Sequence, residues 1–571
     1  MSTTEPGPNG TDSTQLLRQV NGVIWPGFRG TTAPPWLESA LTNGLAGVVY
    51  FSSNIEPGSP GQLAALSAQI RAVNPQAIIG VDEEGGDVTR LESATGSHLP
   101  GAAVLGRLDD VALTEAAGAA IGRMCRQAGV NLVLAPVADV NTNPLNPVIG
   151  IRSFGADTAL VSRHTAAMIQ GIQRNGVGAC AKHFPGHGDT VSDSHLGLPR
   201  LNLLPSQLER DHLPPFRAAV DAGVTAVMSA HIVVPGLGDA EQAELPATLN
   251  PAAGARLRAL GFEGLQITDA LDMAAIRASV GSGPGAVQAL LAGADLLCVG
   301  NPSNPPADAP RRSGPNNTTG ETTPSAAPGP TGPSDMPFPA PDPAGPYNTT
   351  AQTAPSTTPT PTYPSGSPAS VQKDEAEYCE VRDALLAAVR SGELPLRVLE
   401  RAAARVAGFA AWASAPFPAP GSVAPSNPEP DWVAAARRAC DLRIPAGMEA
   451  PRPVGPTVYL IDIRTGHNMA AGPGRNLIAS VLSESVQLHA INAAELAAGI
   501  PEGAVVVVLA DSLAAGSSQL AALAQIAALA PQAICVNAGV PPLTAPPTVL
   551  LDCRGSSLVT AQAVTTLLTG G

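Results

Sequence analysis

Short β-branched runs alternate with Ala- and Leu-rich helical stretches through the first three hundred residues, and this alternation is the strongest constraint on the fold. Eight runs have the length and apolar content of buried parallel strands: 23–28, 47–51, 77–82, 131–139, 178–184, 225–231, 265–269 and 295–300. Helical patterns lie between them at 61–73, 113–128, 160–175, 205–222, 251–260 and 286–292. Eight strand–helix units predict a (β/α)8 TIM-like barrel, although an open doubly wound sheet would show similar alternation.

Two Pro-rich tracts divide the rest of the chain. The first is nearly free of aliphatic residues, so it cannot bury enough apolar surface to offset the entropy of ordering, and we predict that it is disordered. Helical stretches at 374–391 and 397–413 are expected to complete the barrel. The predicted organisation is therefore a catalytic barrel at 1–301 plus 372–415, the disordered insertion at 302–371, a linker at 416–430, and a smaller C-terminal α/β sandwich-like domain at 431–571.

Charge and cysteine usage limit the partners and the compartment. The formal net charge of −15 disfavours nucleic acid and anionic membrane surfaces as partners. Residues 1–15 lack the basic start and apolar core of a signal peptide, and the apolar stretches are too short to cross a bilayer. Seven scattered cysteines without a C-x-x-C pair fit reduced thiols better than a disulfide framework or a zinc site. We therefore expect a cytoplasmic protein, with the oligomeric state left open.

Polar side chains gather where the predicted strands end, which in an eight-fold barrel is the catalytic face. They are Asp82 after the third strand, Asp139 after the fourth, Lys182 and His183 at the end of the fifth, His231 after the sixth and Asp269 after the seventh. Only two of the 32 basic residues are lysines, which raises the functional interest of Lys182. A pocket of carboxylates, a lysine and histidines suits a polyhydroxylated ligand, because each hydroxyl needs donors and acceptors.

The segment 182–195 carries three histidines and two aspartates beyond the fifth strand. Its Pro185-Gly186 pair cannot extend the strand, so the chain is expected to turn over the barrel mouth. Such a cluster points to metal binding or to proton transfer. Metal binding would need convergent ligands at metal-binding spacing, so we favour proton transfer and predict no metal. The glycine-containing loop 466–476 lacks the ending of a phosphate-binding loop, and we predict no cofactor.

This segment, Lys-His-Phe-Pro-Gly-His-Gly followed by four residues and Asp-x-His, resembles the motif of bacterial glycoside hydrolase family 3 β-N-acetylglucosaminidases (β-N-acetylhexosaminidases) at every fixed position. Three further blocks, at 80–86, 135–155 and 267–273, resemble the same family in the same order. Together the four blocks span about residues 20 to 300. One departure is Asp87, because the family usually has Arg at this place.

The resemblance implies a retaining exo-β-N-acetylglucosaminidase that removes terminal β-GlcNAc from a carbohydrate substrate, such as a cell-wall (peptidoglycan) fragment. Asp269 aligns with the nucleophile, His195 with the general acid/base and Asp193 with its partner. Five further residues align with those that bind the sugar in this family: Asp82, Arg90, Arg152, Lys182 and His183. Glu83 and Glu84 are expected to orient the cationic members of this group.

The chemistry of the residues agrees with these roles. An imidazole titrates near pH ~6.5, so His195 can act as acid and then as base near neutrality, while Asp193 fixes its tautomer. Asp272 is a second candidate nucleophile, but it falls in the turn after the seventh strand, so we prefer Asp269. Two alternatives remain: a β-GlcNAc phosphorylase that uses the same dyad, and a catalytically silent sugar-binding protein of the same fold.

Overall fold

The structure is a computed structural model that describes residues 13–59, 61–190, 197–239, 241–300, 368–415, 429–464, 477–501, 503–544 and 546–570. The predicted dyad residues Asp193 and His195 lie outside the described residues. The same is true of the predicted insertion as far as residue 367, and of residues 416–428 of the predicted linker.

Eight parallel strands form the first domain: β1 Ile24–Pro26, β2 Gly47–Tyr50, β3 Ile78–Val81, β4 Leu132–Val133, β5 Gly178–Phe184, β6 Ala226–Ser229, β7 Leu265–Thr268 and β8 Leu297–Val299. Strands β2 to β7 make one sheet in chain order, and β1 pairs with β8. Parallel bridges join Gly27 to Val49 and Ile267 to Leu296, so the ring is closed. The predicted (β/α)8 barrel is confirmed, and the open doubly wound sheet is excluded.

Helices surround the barrel at Ser13–Asn21, Pro35–Thr42, Gln62–Val73, Ala102–Leu108, Val111–Gln127, Thr158–Gln173, Pro205–Gln207, Pro214–Asp221, Pro251–Ala259, Ala274–Arg277, Ser282–Leu291, Pro368–Ser391 and Leu396–Ser414. Local sequence explains where several of them begin. The Asp110 carboxylate accepts from the amides of Ala112 and Leu113, and so caps the helix that follows it. The predicted helix 205–222 is interrupted, because Pro214 lacks an N–H and begins a new helix instead.

A short antiparallel hairpin, Glu83–Gly85 paired with Val88–Thr89, follows β3 and was not predicted. We call residues 83–89 the β3 hairpin. Its turn depends on glycine, because Gly86 has φ +64° and a Cβ there would come within 2.4 Å of the Cα of Gly101. The hairpin therefore packs closely on the start of the next helix, above the carboxyl end of the barrel.

The C-terminal domain is a six-stranded sheet with strands β9 Asp441–Arg443, β10 Thr457–Asp462, β11 Gln487–Ala490, β12 Val505–Ser512, β13 Ile534–Val540 and β14 Val549–Asp552. Their order is β9-β14-β13-β12-β10-β11, and only β9 is antiparallel to its neighbour. Its helices are Trp432–Ala439, Leu477–Ser483, Ala493–Ala498, Ser518–Leu529 and Leu558–Thr569. The four inner strands are mainly apolar, whereas β9 and β11 are short edge strands of mixed polarity.

Apolar clusters cover both faces of this sheet, which gives a three-layer α/β/α sandwich. One face packs on Leu482 and Val564 and the other on Leu523 and Ile526, from helices on opposite sides. The outer core of the barrel also includes Trp432 and other side chains of the C-terminal domain, so the two domains share a continuous apolar contact. Among the described residues, no helix has the length and apolar content needed to span a bilayer.

Candidate active site

Lys182 is the centre of an ion network at the carboxyl end of the barrel. It lies in β5 and is 2% exposed. Its Nζ donates to Oδ1 of Asp82 at 2.8 Å and lies 2.7 Å from Oε1 of Glu84. Burial alone would lower the pKa of Lys182, but the two carboxylates outweigh it and the pKa lies above its usual value. The ammonium group is therefore charged in the folded protein.

Glu84 links this lysine to Arg152. The Arg152 guanidinium donates from Nε to Oε2 of Glu84 at 3.0 Å and from Nη2 to Oε1 at 2.7 Å, a bidentate pair with both side chains buried. Burial would raise the pKa of Glu84, but Arg152 and Lys182 together hold it below its usual value. The predicted role of Glu84 in orienting cationic side chains agrees with this geometry.

Among the side chains that the structure describes, Glu83 does not contact a cationic one in the way that was predicted for it and Glu84. Successive residues of a strand point to opposite faces, so Glu83 faces away from Glu84 and Lys182. Its Oε2 accepts from the Thr89 hydroxyl at 2.9 Å and from the amides of Arg90 and Leu91, each at 3.0 Å. Glu83 thus orients the backbone at Arg90 rather than a cationic side chain.

Asp82 has two cationic neighbours. Besides Lys182, Nη2 of Arg90 lies 3.8 Å from its Oδ2. Burial would raise the pKa of Asp82, but Lys182 and then Arg90 outweigh it, so the carboxyl is ionised. The side chain of Asp82 is 20% exposed, more than those of Lys182 and Glu84. Asp82 can therefore accept hydrogen bonds from a ligand in the barrel mouth.

Asp139 organises two histidines, His183 in β5 and His187 just after it. Its Oδ2 lies 2.8 Å from Nδ1 of His183, and its Oδ1 accepts from the amides of His183 at 3.1 Å and His187 at 2.7 Å. Since the carboxylate accepts from Nδ1, Nε2 of His183 is left as an acceptor when the ring is neutral. His187 is buried and contacts the Thr190 hydroxyl, and burial followed by repulsion from His183 lowers its pKa to about 4.

Asp269 directly follows β7. Its amide donates to the carbonyl of Ser229 at 3.1 Å, and its Oδ1 accepts from the Ala270 amide at 2.8 Å. These bonds fix the side chain at the barrel mouth. Asp272, the other candidate nucleophile, is only 4% exposed, whereas Asp269 is partly exposed. His231 lies nearby and is buried, with Nε2 3.0 Å from the carbonyl of Ala270.

The carboxyl ends of parallel strands lie at one rim of a barrel, so Asp82 after β3, Lys182 in β5 and Asp269 after β7 share that rim. Cys180 lies two residues before Lys182 in β5, and burial raises the pKa of its thiol to about 12. All five predicted sugar-binding residues are described and lie together at the carboxyl ends of β3, β4 and β5 or in the segments that follow. The segment bearing Asp193 and His195 begins after Thr190, and its residues lie outside the described ranges.

Two features of the site were not predicted. The hydroxyl of Thr248, from the segment after β6, contacts Nδ1 of His231 at 2.9 Å, and nothing in the sequence indicated this pairing. Asp87, noted only as a departure from the family pattern, contacts the C-terminal domain. Within the described residues, no group of three His, Cys, Asp or Glu side chains is arranged to hold a metal ion.

Comparison with known proteins agrees with this geometry. Residues 33–308 match the glycosyl hydrolase family 3 N terminal domain. The beta-hexosaminidase of Chromobacterium violaceum is 36% identical over 265 residues, which are 45% of this chain and 72% of that protein. Beta-hexosaminidase A of Pseudoalteromonas piscicida is 32% identical over 290 residues, 47% of this chain and 48% of that protein, so this chain spans about half of its length.

A solved structure extends the likeness to both domains. The glycoside hydrolase family 3 beta-N-acetylglucosaminidase from Paenibacillus sp. str. FPU-7 has a TM-score of 0.73 and 26% sequence identity. The match covers 97% of this chain and 96% of that protein. The C-terminal sandwich is therefore part of the shared architecture.

Proposed function

This chain belongs to glycosyl hydrolase family 3, and from that premise we propose that it is a retaining exo-β-N-acetylglucosaminidase that releases terminal β-linked GlcNAc. The observation that carries the proposal is the ionised network of Asp82, Lys182 and Glu84 at the rim of the barrel where Asp269 follows β7. The names of the relatives support the choice of GlcNAc.

The network supplies the complementary groups that a terminal sugar requires. Asp82 accepts from sugar hydroxyls, while Lys182 and Arg152 donate to them. Nε2 of the neutral His183 ring adds an acceptor, because the ring proton is on Nδ1 and is donated to Asp139 in a hydrogen bond. All these groups are held by other charges before the sugar arrives, so little reorganisation is needed when it binds.

Two steps then complete the reaction. A carboxylate oxygen of Asp269 attacks the anomeric carbon and forms the glycosyl ester, while His195 gives its proton to the departing glycosidic oxygen. Water next attacks the same carbon as His195 takes a proton from it, and the Asp269 carboxylate is released. Asp193 stabilises the imidazolium form of His195, which is present before the first step and is restored by the second.

We propose peptidoglycan fragments as the source of the GlcNAc and a reducing compartment, the cytoplasm, as the place of action. All seven cysteines are free, which supports the second part.

The test compares p-nitrophenyl β-GlcNAc with the β-glucoside, with and without phosphate. We expect the GlcNAc compound to be the better substrate and free GlcNAc to be the product in both buffers. His195→Ala should slow turnover by at least about 100-fold, and the exposed His98→Ala is the matched control. GlcNAc 1-phosphate as the main product would identify a phosphorylase, and unchanged turnover in His195→Ala would overturn the assigned dyad. A wild type that binds GlcNAc without turnover would identify a silent sugar-binding protein.

A further inference from the structure

The tip of the β3 hairpin is attached to the C-terminal domain. Oδ1 of Asp87 accepts from the amide of Ser556 at 2.7 Å, and Oδ2 accepts from the hydroxyl of the same serine at 2.9 Å. Both oxygens of one carboxylate are thus bonded to a single residue that lies 469 positions away in the chain. This is a two-point contact between the catalytic barrel and the sandwich.

The same hairpin carries part of the sugar site. Asp87 lies three residues after Glu84, which holds Lys182 and Arg152, and three residues before Arg90. The hairpin strands have only three and two residues. A hairpin this short is not stable by itself, so its position depends on what holds its ends. Glu83 holds the base through the amides of Arg90 and Leu91, and Asp87 holds the tip.

The C-terminal domain also contacts the other half of the Glu84–Arg152 pair. Arg152 ends the turn Gly150–Arg152, and a Cβ on Gly150 would lie 3.7 Å from Cγ2 of Val540 in β13. Arg554, in the segment after β14, lines a small cavity with Glu84, Asp87 and Arg152. Both segments that meet in this ion pair therefore contact the C-terminal domain at the carboxyl ends of β13 and β14.

We propose that the C-terminal domain positions the sugar-binding site, with Asp87 as the positioning residue that holds Glu84 and Arg90 in place. A bidentate pair tolerates little displacement, because both hydrogen bonds must keep their length and direction. If the hairpin tip is released, Glu84 moves relative to Lys182 and Arg152, and the donors that face the sugar move with it. The expected change in KM rests on the proposed function, whereas the expected displacement of the hairpin does not.

The test uses three full-length variants. Asp87→Ala removes both bonds to Ser556. Asp87→Asn is the conservative variant, because its amide oxygen still accepts from the Ser556 amide and its NH2 donates to the hydroxyl oxygen. Arg107→Ala is the matched control, since Arg107 pairs with Asp441 across the same two domains without touching the hairpin.

Hydrogen exchange of the Arg90 and Leu91 amides measures the position of the hairpin without substrate. We expect exchange at least about tenfold faster in Asp87→Ala and near wild type in the other two variants. For p-nitrophenyl β-GlcNAc, kcat/KM should fall at least about tenfold in Asp87→Ala, mainly through KM, with recovery in Asp87→Asn. All values are taken well below the unfolding temperature of each variant.

Equal exchange in wild type and Asp87→Ala would overturn the inference, as would equal effects of Asp87→Ala and Arg107→Ala. A wild type that does not release GlcNAc would instead refute the proposed function, and the exchange result would still decide the role of Asp87. Faster exchange with unchanged KM and kcat would show that the hairpin is anchored but does not position the site, which also overturns the inference.

Discussion

Replacing Lys182 by methionine removes a buried cation that pairs with a buried carboxylate, Glu84, and with a partly exposed one, Asp82. The lysine side chain is 3% exposed and contacts both Asp82 and Glu84. Methionine fills a similar volume but carries no charge. Glu84 keeps its bidentate partner Arg152, whereas the ion pair that Asp82 keeps among the described residues is the longer one with Arg90, at 3.8 Å. The variant therefore leaves Asp82 as a largely uncompensated charge in a buried site.

Breaking a buried ion pair by removing one partner costs about 3–5 kcal/mol of folding free energy. For a chain of 571 residues, we expect Tm to fall by about 2–4 °C near neutral pH. In the wild type, the pKa of Asp82 lies below its unfolded value, so the carboxylate stabilises the fold above about pH 4 and this contribution is lost as pH falls. Without Lys182, burial dominates and raises this pKa, so ionisation above about pH 4 destabilises the fold.

The Tm difference between wild type and Lys182→Met should therefore be largest near pH ~7 and should shrink towards pH ~4. Thermal unfolding followed by circular dichroism at several pH values measures it. Lys373→Met is the matched control. Lys373 is the one other lysine in the sequence, it is more exposed than Lys182, and its Nζ lies 3.6 Å from Oε1 of Glu377 in a helical i,i+4 pair. A difference that does not change with pH, or an equal loss in the control, would refute the reasoning.

Three further predictions concern neighbouring positions. Asp139→Asn removes the charge that binds His183 and should raise KM for the GlcNAc substrate by about tenfold, whereas an unchanged KM would show that this pair does not affect the sugar. Burial raises the pKa of Glu83 to about 7, so ionisation of this carboxyl lowers the stability of the wild type as pH rises from about 4.5 to 7. Glu83→Gln cannot ionise, so it should lose less stability than the wild type over that range, by about 1.4 kcal/mol per pKa unit of the shift. Parallel pH profiles of stability for the two proteins would contradict this. Gly86→Ala should destabilise the fold by about 1–3 kcal/mol, because its Cβ would meet Gly101 at a positive φ, and unaltered chemical denaturation would argue against that contact.

Much of the barrel follows from the sequence, because buried parallel strands are continuous apolar runs. The predicted fifth strand agrees residue for residue with β5, Gly178–Phe184. Polar residues that end such runs must lie at one rim of the barrel, so Asp82, Lys182 and Asp269 were found from their place in the chain alone. The fourth strand, β4 Leu132–Val133, is much shorter than predicted, because Pro136 has no N–H to pair with a neighbour.

Contacts between distant segments lie beyond such reasoning. The β3 hairpin contains two consecutive glutamates and two glycines, so neither its composition nor its length resembles a strand. Its partner Ser556 belongs to another domain, and no local pattern links it to Asp87. Glu83 was expected to orient a cationic side chain, but the direction of its side chain depends on a strand that was not predicted. Packing between separate segments decides each of these features.

The most direct test of the central claim is to trap the covalent intermediate. Wild-type protein is incubated with a 5-fluoro GlcNAc donor, digested, and the labelled peptide is sequenced by mass spectrometry. Asp269→Asn and Asp272→Asn are the paired variants, since both residues follow β7. The account predicts one label, on Asp269, that is absent in Asp269→Asn and present in Asp272→Asn. A label on Asp272 or on another residue, or turnover of the donor without any labelled peptide, would contradict it.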